Sequence, residues 1–382
     1  HRRALWALLF GIAGVFAFSA FKPALAAVLP FVKGYNLDRF GGYLTIFIIL
    51  LAGAGLEAWL KRLAPIEGRP RRFLRWRADS AVSIAAILSL MASALPIKYI
   101  NYWEWITHGT FAHTQQSEPI RELAQRIRKE PMPVRAGSFQ MYPSYLHAYG
   151  IETAGGYLSL IMKRYHSFWM KVLEPSLTQD PDDLMSRNAI EHGYRLILNT
   201  ERHLADVPFA SLFNLDLLSL ANVKYFVSRD RLIHPDLVAI REMPKAWNEL
   251  TTLEKVKTNL RANFFGREQV FIYENKKVLP RFFLAAKFQV LEKDAEILHR
   301  IGVESASVLR HTVFLNSRDL PKGMPAALAS GGEGNVILKT YSSDEIVLEI
   351  DSLAPRILFA AISYNPAWRA YVDGAPVALF PA

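Results

Sequence analysis

Three uncharged apolar runs in the first quarter of the chain constrain its folding more than any other feature. Ala4–Phe21 and Ser80–Ile97 are 18 residues each, and Phe40–Leu56 is 17. At about 1.5 Å per residue, each would extend roughly 27 Å as a helix, close to the hydrocarbon thickness of a bilayer. None shows the polar stripe, repeating every 3.6 residues, of a helix lying on a protein surface. A signal peptide would account for the first run, since Arg2 and Arg3 precede it, but not for all three. The pattern predicts transmembrane helices at about 4–21, 40–60 and 80–98.

Charge follows the same division. The net charge of +10 would by itself suggest a nucleic-acid partner, but residues 1–98 hold thirteen Lys or Arg against four acids. The remaining residues are nearly balanced, so no nucleic-acid footprint is left. Lys61, Arg62, Arg69, Arg71, Arg72, Arg75 and Arg77 fall between the second and third runs. The positive-inside rule places that loop in the cytoplasm and everything after Lys98 outside. Trp59, Trp76, Tyr99, Tyr102, Trp103 and Trp105 would then mark the two interfaces.

Between the first two runs, Pro23, Pro30 and Gly34 argue against one continuous helix and suggest an outer loop or a shallow re-entrant element. Asp38 and Arg39 sit at the mouth of the second run. They admit two readings: a cation that holds a lipid phosphate, or an interfacial pair that snorkels. Gly53 and Gly55 beside Ala52 and Ala54 form a smooth surface for close helix packing.

Beyond residue 98 the texture is that of a mixed α/β domain to about 265, then a β-rich domain over 266–382. Ser117-Glu118-Pro119 opens a helix that continues to about Lys129, and Val134–Gln140 reads as a strand. Tyr157–Leu173, Asp180–His192 and Phe209–Leu220 suggest helices, while Asn222–Ser228 alternates like a half-buried strand. Strand-like segments follow at 269–273, 281–291, 336–341, 345–350, 356–364 and 368–372, with a short helix near 294–301. Asp373-Gly374 is a strong two-residue hairpin turn. The antiparallel texture suggests a β-sandwich cut off before its last strands, with Trp368 and Tyr371 anchoring its core. Since the chain begins at His1 and stops within a strand-like pattern, it reads as a fragment of something longer.

No strong catalytic motif is present. Zero cysteines exclude disulfides, thiolate catalysis and cysteine-ligated metals. His108 and His113 are five apart, on different faces of a helix, and no metal or cofactor is expected. Gly331-Gly332-Glu333-Gly334 lacks the lysine of a phosphate loop. Asp180, Asp182 and Asp183 could bind a cation or act as a base, but capping of the following helix is the simpler account. Lys163, Arg164, Tyr165, His166 and Trp169 form a basic-aromatic helix face that could hold a sugar or lipid headgroup. Core packing is the competing account of its aromatics.

The segment from Ser363 through Tyr364-Asn365-Pro366-Ala367-Trp368-Arg369-Ala370-Tyr371-Val372-Asp373-Gly374 resembles the C-terminal hairpin of the YfhO-like family of bacterial multi-pass membrane proteins. Further similar stretches occur in the same order. They are Leu37-Asp38-Arg39-Phe40, 51–56, Gly155-Gly156-Tyr157, 217–227 and 278–284. The resemblance implies the C-terminal part of a glycosyltransferase-like membrane protein, with a polyprenyl-phosphate-linked sugar as donor and a cell-envelope polymer as acceptor. It also implies a catalytic carboxylate upstream of residue 1, so no catalytic residue is carried over. The competing reading is a non-catalytic envelope protein, anchored in the bacterial membrane, whose external domain binds polysaccharide or a protein partner. Asp38, Arg39, Lys163, Arg164, Tyr165 and Trp169 are the candidate substrate-binding residues. The expected fold is three transmembrane helices followed by an extracytoplasmic α+β region that ends in a truncated antiparallel β-sandwich.

Overall fold

The computed structural model describes residues 116–157, 161–179, 195–196, 198, 204–320, 324, 328 and 334–381. The chain divides into two units, His1–Ala92 and Ser93–Ala382, and every described residue belongs to the second. The three apolar runs, Asp38, Arg39, His108, His113 and Asp180–Asp183 lie outside the described residues.

Among the described residues no helix is long and apolar enough to cross a membrane. The longest of them, Lys163–Gln179, has 17 residues and carries Lys163, Arg164, Lys171 and Glu174. The expected membrane fold is corrected accordingly: the described residues form an α/β region with several small sheets. The membrane reading rested on run length and hydropathy, and an apolar helix buried within protein satisfies both equally.

A four-stranded sheet organises the region, in the order Arg135–Phe139, Val223–Ser228, Phe271–Asn275, Leu237–Arg241. Its first pair is parallel and the other two pairs are antiparallel. Val223–Ser228 is interior to the sheet and almost wholly buried. Because side chains alternate across a strand, it feeds two cores. Phe226 packs with Phe139, Phe209 and Phe271 on one face, whereas Tyr225 and Val227 pack with Ala136, Val270 and Ile272 on the other. Helices cover both faces. Trp169, Val172 and Leu173 of Lys163–Gln179 join the first core, and Ile120, Leu123 and Ala124 of Glu118–Ile127 join the second. Phe271–Asn275, past residue 265, is the third strand of this sheet.

Local chemistry sets the element ends. The Asn214 side chain accepts the Leu217 N–H, which starts the helix Leu215–Leu220 afresh. The single helix expected over 209–220 is therefore two, Phe209–Leu212 and Leu215–Leu220. Thr251 and Glu254 form a reciprocal capping box at the start of Thr252–Phe265, and Gly266 ends that helix in the left-handed region at φ 63°.

The remaining strands do not build an antiparallel sandwich. Phe282–Ala285 pairs with Ile357–Ala360, and Asn335–Tyr341 pairs with Ile346–Asp351, each as a two-stranded antiparallel ladder. Lys287–Leu291 runs parallel to Thr312–Asn316 through the helices Asp294–Val303 and Ala306–Leu309. Alternation of apolar residues reports burial and is silent on strand direction, which is why the sandwich expectation fails here. Asp373 and Gly374 do close a hairpin between Ala370–Val372 and Ala375–Val377, with φ values of 48° and 81°. Tyr371, expected in a core, is 64% exposed.

Candidate anion-binding site

Five distant segments bring a compact charged cluster together. Arg135 opens the first strand of the four-stranded sheet, and Glu152 lies on the loop before Gly156–Tyr157. Arg281 immediately precedes Phe282–Ala285, Tyr341 ends the strand Asn335–Tyr341, and Ala361 follows Ile357–Ala360. Backbone hydrogen bonds set the frame. Ala136 donates to the Glu152 carbonyl at 2.9 Å and Ala361 donates to the Arg281 carbonyl at 2.9 Å.

Arg281 is only 2% exposed. Its Nη2 donates to Glu152 Oε2 and to the Tyr341 hydroxyl, both at 2.7 Å, and its guanidinium lies over the Tyr341 ring. Arg281 Nε and Nη1 are buried and have no hydrogen-bond partner among the described residues. A guanidinium taken out of water needs its donors satisfied, so this one is under-used by the fold. Arg135 stands beside it. Its Nη1 donates to the carbonyls of Ala221 and Ala361 at 2.9 and 2.8 Å, while its Nε is 3.9 Å from Glu152 Oε2. Burial, reinforced by the neighbouring Arg281 charge, holds the Arg135 guanidinium down to about 10, still a cation at neutral pH. Burial pushes the Tyr341 hydroxyl up, so it remains a neutral hydrogen-bonding group.

Two guanidiniums thus share one carboxylate, and the cluster carries an excess positive charge in a poorly solvated place. The Glu152 side chain is 40% exposed, so the cluster reaches solvent on the side that Glu152 occupies. Such an arrangement can hold a carboxylate or phosphate group through charge-assisted hydrogen bonds.

The helix face proposed from sequence divides in two. Tyr165 and Trp169 both donate to the Ala154 carbonyl, Trp169 Nε1 at 3.2 Å, two residues along the chain from Glu152. Trp169 is 2% exposed and serves the core. Arg164 turns elsewhere, to Asp319 at 2.5 Å and Asp294 at 3.5 Å, while Lys163 is exposed. Tyr165 and Trp169 of that face thus meet at Ala154, close in sequence to Glu152, and Arg164 is engaged with Asp319 and Asp294 instead. Arg135, Glu152, Arg281 and Tyr341 were not singled out by sequence reasoning. One signal existed: Arg281 is the only charged residue within the apolar stretch Val278–Ala286, where a charge needs a specific reason to be buried.

A second buried carboxylate has a different character. Asp230 is fully buried, and burial pushes it up to about 6 despite the Asn248 N–H, Lys255 and Arg229. Its two oxygens are occupied by Asn248, from the backbone N–H at 2.9 Å and from Nδ2 at 3.0 Å. It pins the turn Trp247–Glu249, and both oxygens are already engaged there. Among the described residues no three His, Asp or Glu side chains gather as a metal site would require.

Comparison with family models, with curated proteins and with solved structures finds no match to this chain.

Proposed function

We propose that the described region is a non-catalytic binding module that holds an acidic group of an envelope polysaccharide at the Arg135–Arg281 cluster. The observation that carries this reading is the deeply buried Arg281, whose Nε and Nη1 stay unsatisfied beside a second guanidinium and a single carboxylate. Structural arginines that only brace a fold normally spend their donors on it, because every unsatisfied one costs free energy. The Tyr341 hydroxyl, which accepts from Arg281 and is kept neutral by burial, is a group of the kind that orients sugar and carboxylate oxygens. The choice of a polysaccharide as the source of the acidic group draws support from the resemblance to the YfhO-like family.

The test is calorimetric titration of the chain with glucuronate and with inorganic phosphate, for wild type and Arg281→Lys. Saturable binding that weakens with added salt is expected for wild type. The lysine variant should lose most of it, since an ammonium cannot reproduce the planar fork of a guanidinium. Equal binding by the two proteins, or none by wild type, refutes the reading.

A further inference from the structure

We infer that Glu152 is a built-in competitor for the site, and that the ligand's carboxylate takes its seat when it binds. This rests on the reading of the Arg135–Arg281 cluster as an anion site. Among the described residues Glu152 is the carboxylate shared by both guanidiniums, at 2.7 Å from Arg281 Nη2 and 3.9 Å from Arg135 Nε. Its environment is lopsided. The guanidinium that it holds is 2% exposed, whereas its own side chain is 40% exposed.

The backbone at this point is anchored. The Glu152 carbonyl accepts the Ala136 N–H, and Thr153 bridges to Ala136 of the neighbouring strand. The side chain can therefore rotate into water by torsion alone, leaving the main chain in place. Rotation uncovers Arg281 Nη2, which at rest donates to Glu152 and also to the Tyr341 hydroxyl beside it. The incoming group must replace what leaves. A planar carboxylate reproduces the acceptor geometry of Glu152 and restores the local charge balance. The departing carboxylate is at once hydrated, because it already faces solvent. A protein built this way keeps its buried guanidinium neutralised while empty and rejects weak anions, which cannot outcompete a tethered carboxylate.

The size of the effect follows from occupancy. If the seat is open about a tenth of the time, the apparent affinity is about tenfold weaker than the intrinsic one. Removing the competitor should recover that factor.

The experiment compares wild type, Glu152→Gln and Glu152→Ala by calorimetric titration with glucuronate, acetate, inorganic phosphate and glucose. Glucuronate is expected to bind Glu152→Gln several-fold more tightly than wild type, and Glu152→Ala more tightly still. Should Glu152→Ala lose its cooperative thermal transition, Glu152→Gln carries the comparison, since it keeps the size and an acceptor oxygen. Equal gains for acetate show that the carboxylate alone is recognised, and a gain confined to glucuronate shows that the sugar ring adds contacts. Both support the inference. A gain for phosphate without one for glucuronate overturns the carboxylate assignment, as does equal binding of glucose. Wild type that binds glucuronate no more weakly than Glu152→Gln overturns the displacement while leaving the anion site standing. Absence of binding by all three proteins overturns the anion site itself, and the displacement with it.

Discussion

Replacing Asp230 by asparagine should remove a pH dependence that the wild-type fold carries between about pH 4 and 7. Asp230 is fully buried, and its carboxyl is pushed from 3.8 up to about 6, chiefly by loss of hydration. A folded-state pKa above the unfolded value means that the folded chain binds the proton more tightly. The stabilisation is therefore fully present below pH 3.8 and is lost as the pH rises through about 6. A shift of about two pKa units corresponds to about 3 kcal/mol in total, with most of the loss complete by neutral pH. The asparagine side chain keeps the size of the aspartate and cannot ionise. The stability difference between wild type and Asp230→Asn should thus move by about 2–3 kcal/mol in favour of the variant between pH 4 and 7. Urea denaturation of both proteins across a pH series measures it, and subtraction cancels the other titrating groups. A difference that stays constant across the series would refute burial as the dominant influence. It would mean that the nearby cations Arg229 and Lys255 offset the desolvation of the carboxylate.

Phe226→Ala should destabilise the region by about 3–5 kcal/mol, because the ring is wholly buried and packs edge-on against Phe209 at a centroid distance of 5.2 Å. Chemical denaturation reads this, and a loss below about 1 kcal/mol would contradict the central place of that core. Gly374→Ala should cost about 1–2 kcal/mol from its φ of 81° alone, since an added Cβ meets nothing within 4 Å among the described residues. Gly266→Ala should cost distinctly more, because it adds to a φ of 63° a Cβ that collides with the Gln116 carbonyl oxygen. Melting temperatures of the two variants rank them, and the reverse order would refute the argument. Thr251→Ala should cost about 0.5–2 kcal/mol through loss of the capping box with Glu254, seen as a lower denaturation midpoint.

Much of the local structure is legible in the residues. Ser117-Glu118-Pro119 marks the start of Glu118–Ile127, and the alternation of Asn222–Ser228 marks the strand Val223–Ser228. Asp373-Gly374 names the hairpin turn, because both positions adopt positive φ. The aromatic pattern points to a helix over 157–173, whereas the helix lies at Lys163–Gln179. Its Pro175, near the C-terminal end, gives no useful boundary. The break at Asn214 is hidden, because a capping asparagine between two short apolar stretches looks, in sequence, like one polar position on a helix.

The candidate site is far less legible. Tyr165 and Trp169 come from an aromatic helix pattern, but the charges that matter come from residues 135, 152, 281 and 341. No spacing rule links positions so far apart along the chain. The Arg135 contact to the Ala361 carbonyl spans 226 residues.

Propensity, capping and turn chemistry act over a few residues, so the chain itself determined the helix start at Glu118, the apolar strand Val223–Ser228 and the hairpin turn at Asp373-Gly374. Pairing direction, sheet membership and the Arg135–Arg281 cluster depend on contacts between segments remote in sequence. Lys287–Leu291 could run parallel to Thr312–Asn316 only once the two helices between them had packed as a crossover. Phe271–Asn275 joined the first sheet because Val223–Ser228 offered it an open edge and a buried face on either side. The meeting of two guanidiniums over one carboxylate is costly enough that no local preference would produce it. Only the packing of five segments around Glu152 holds those charges together.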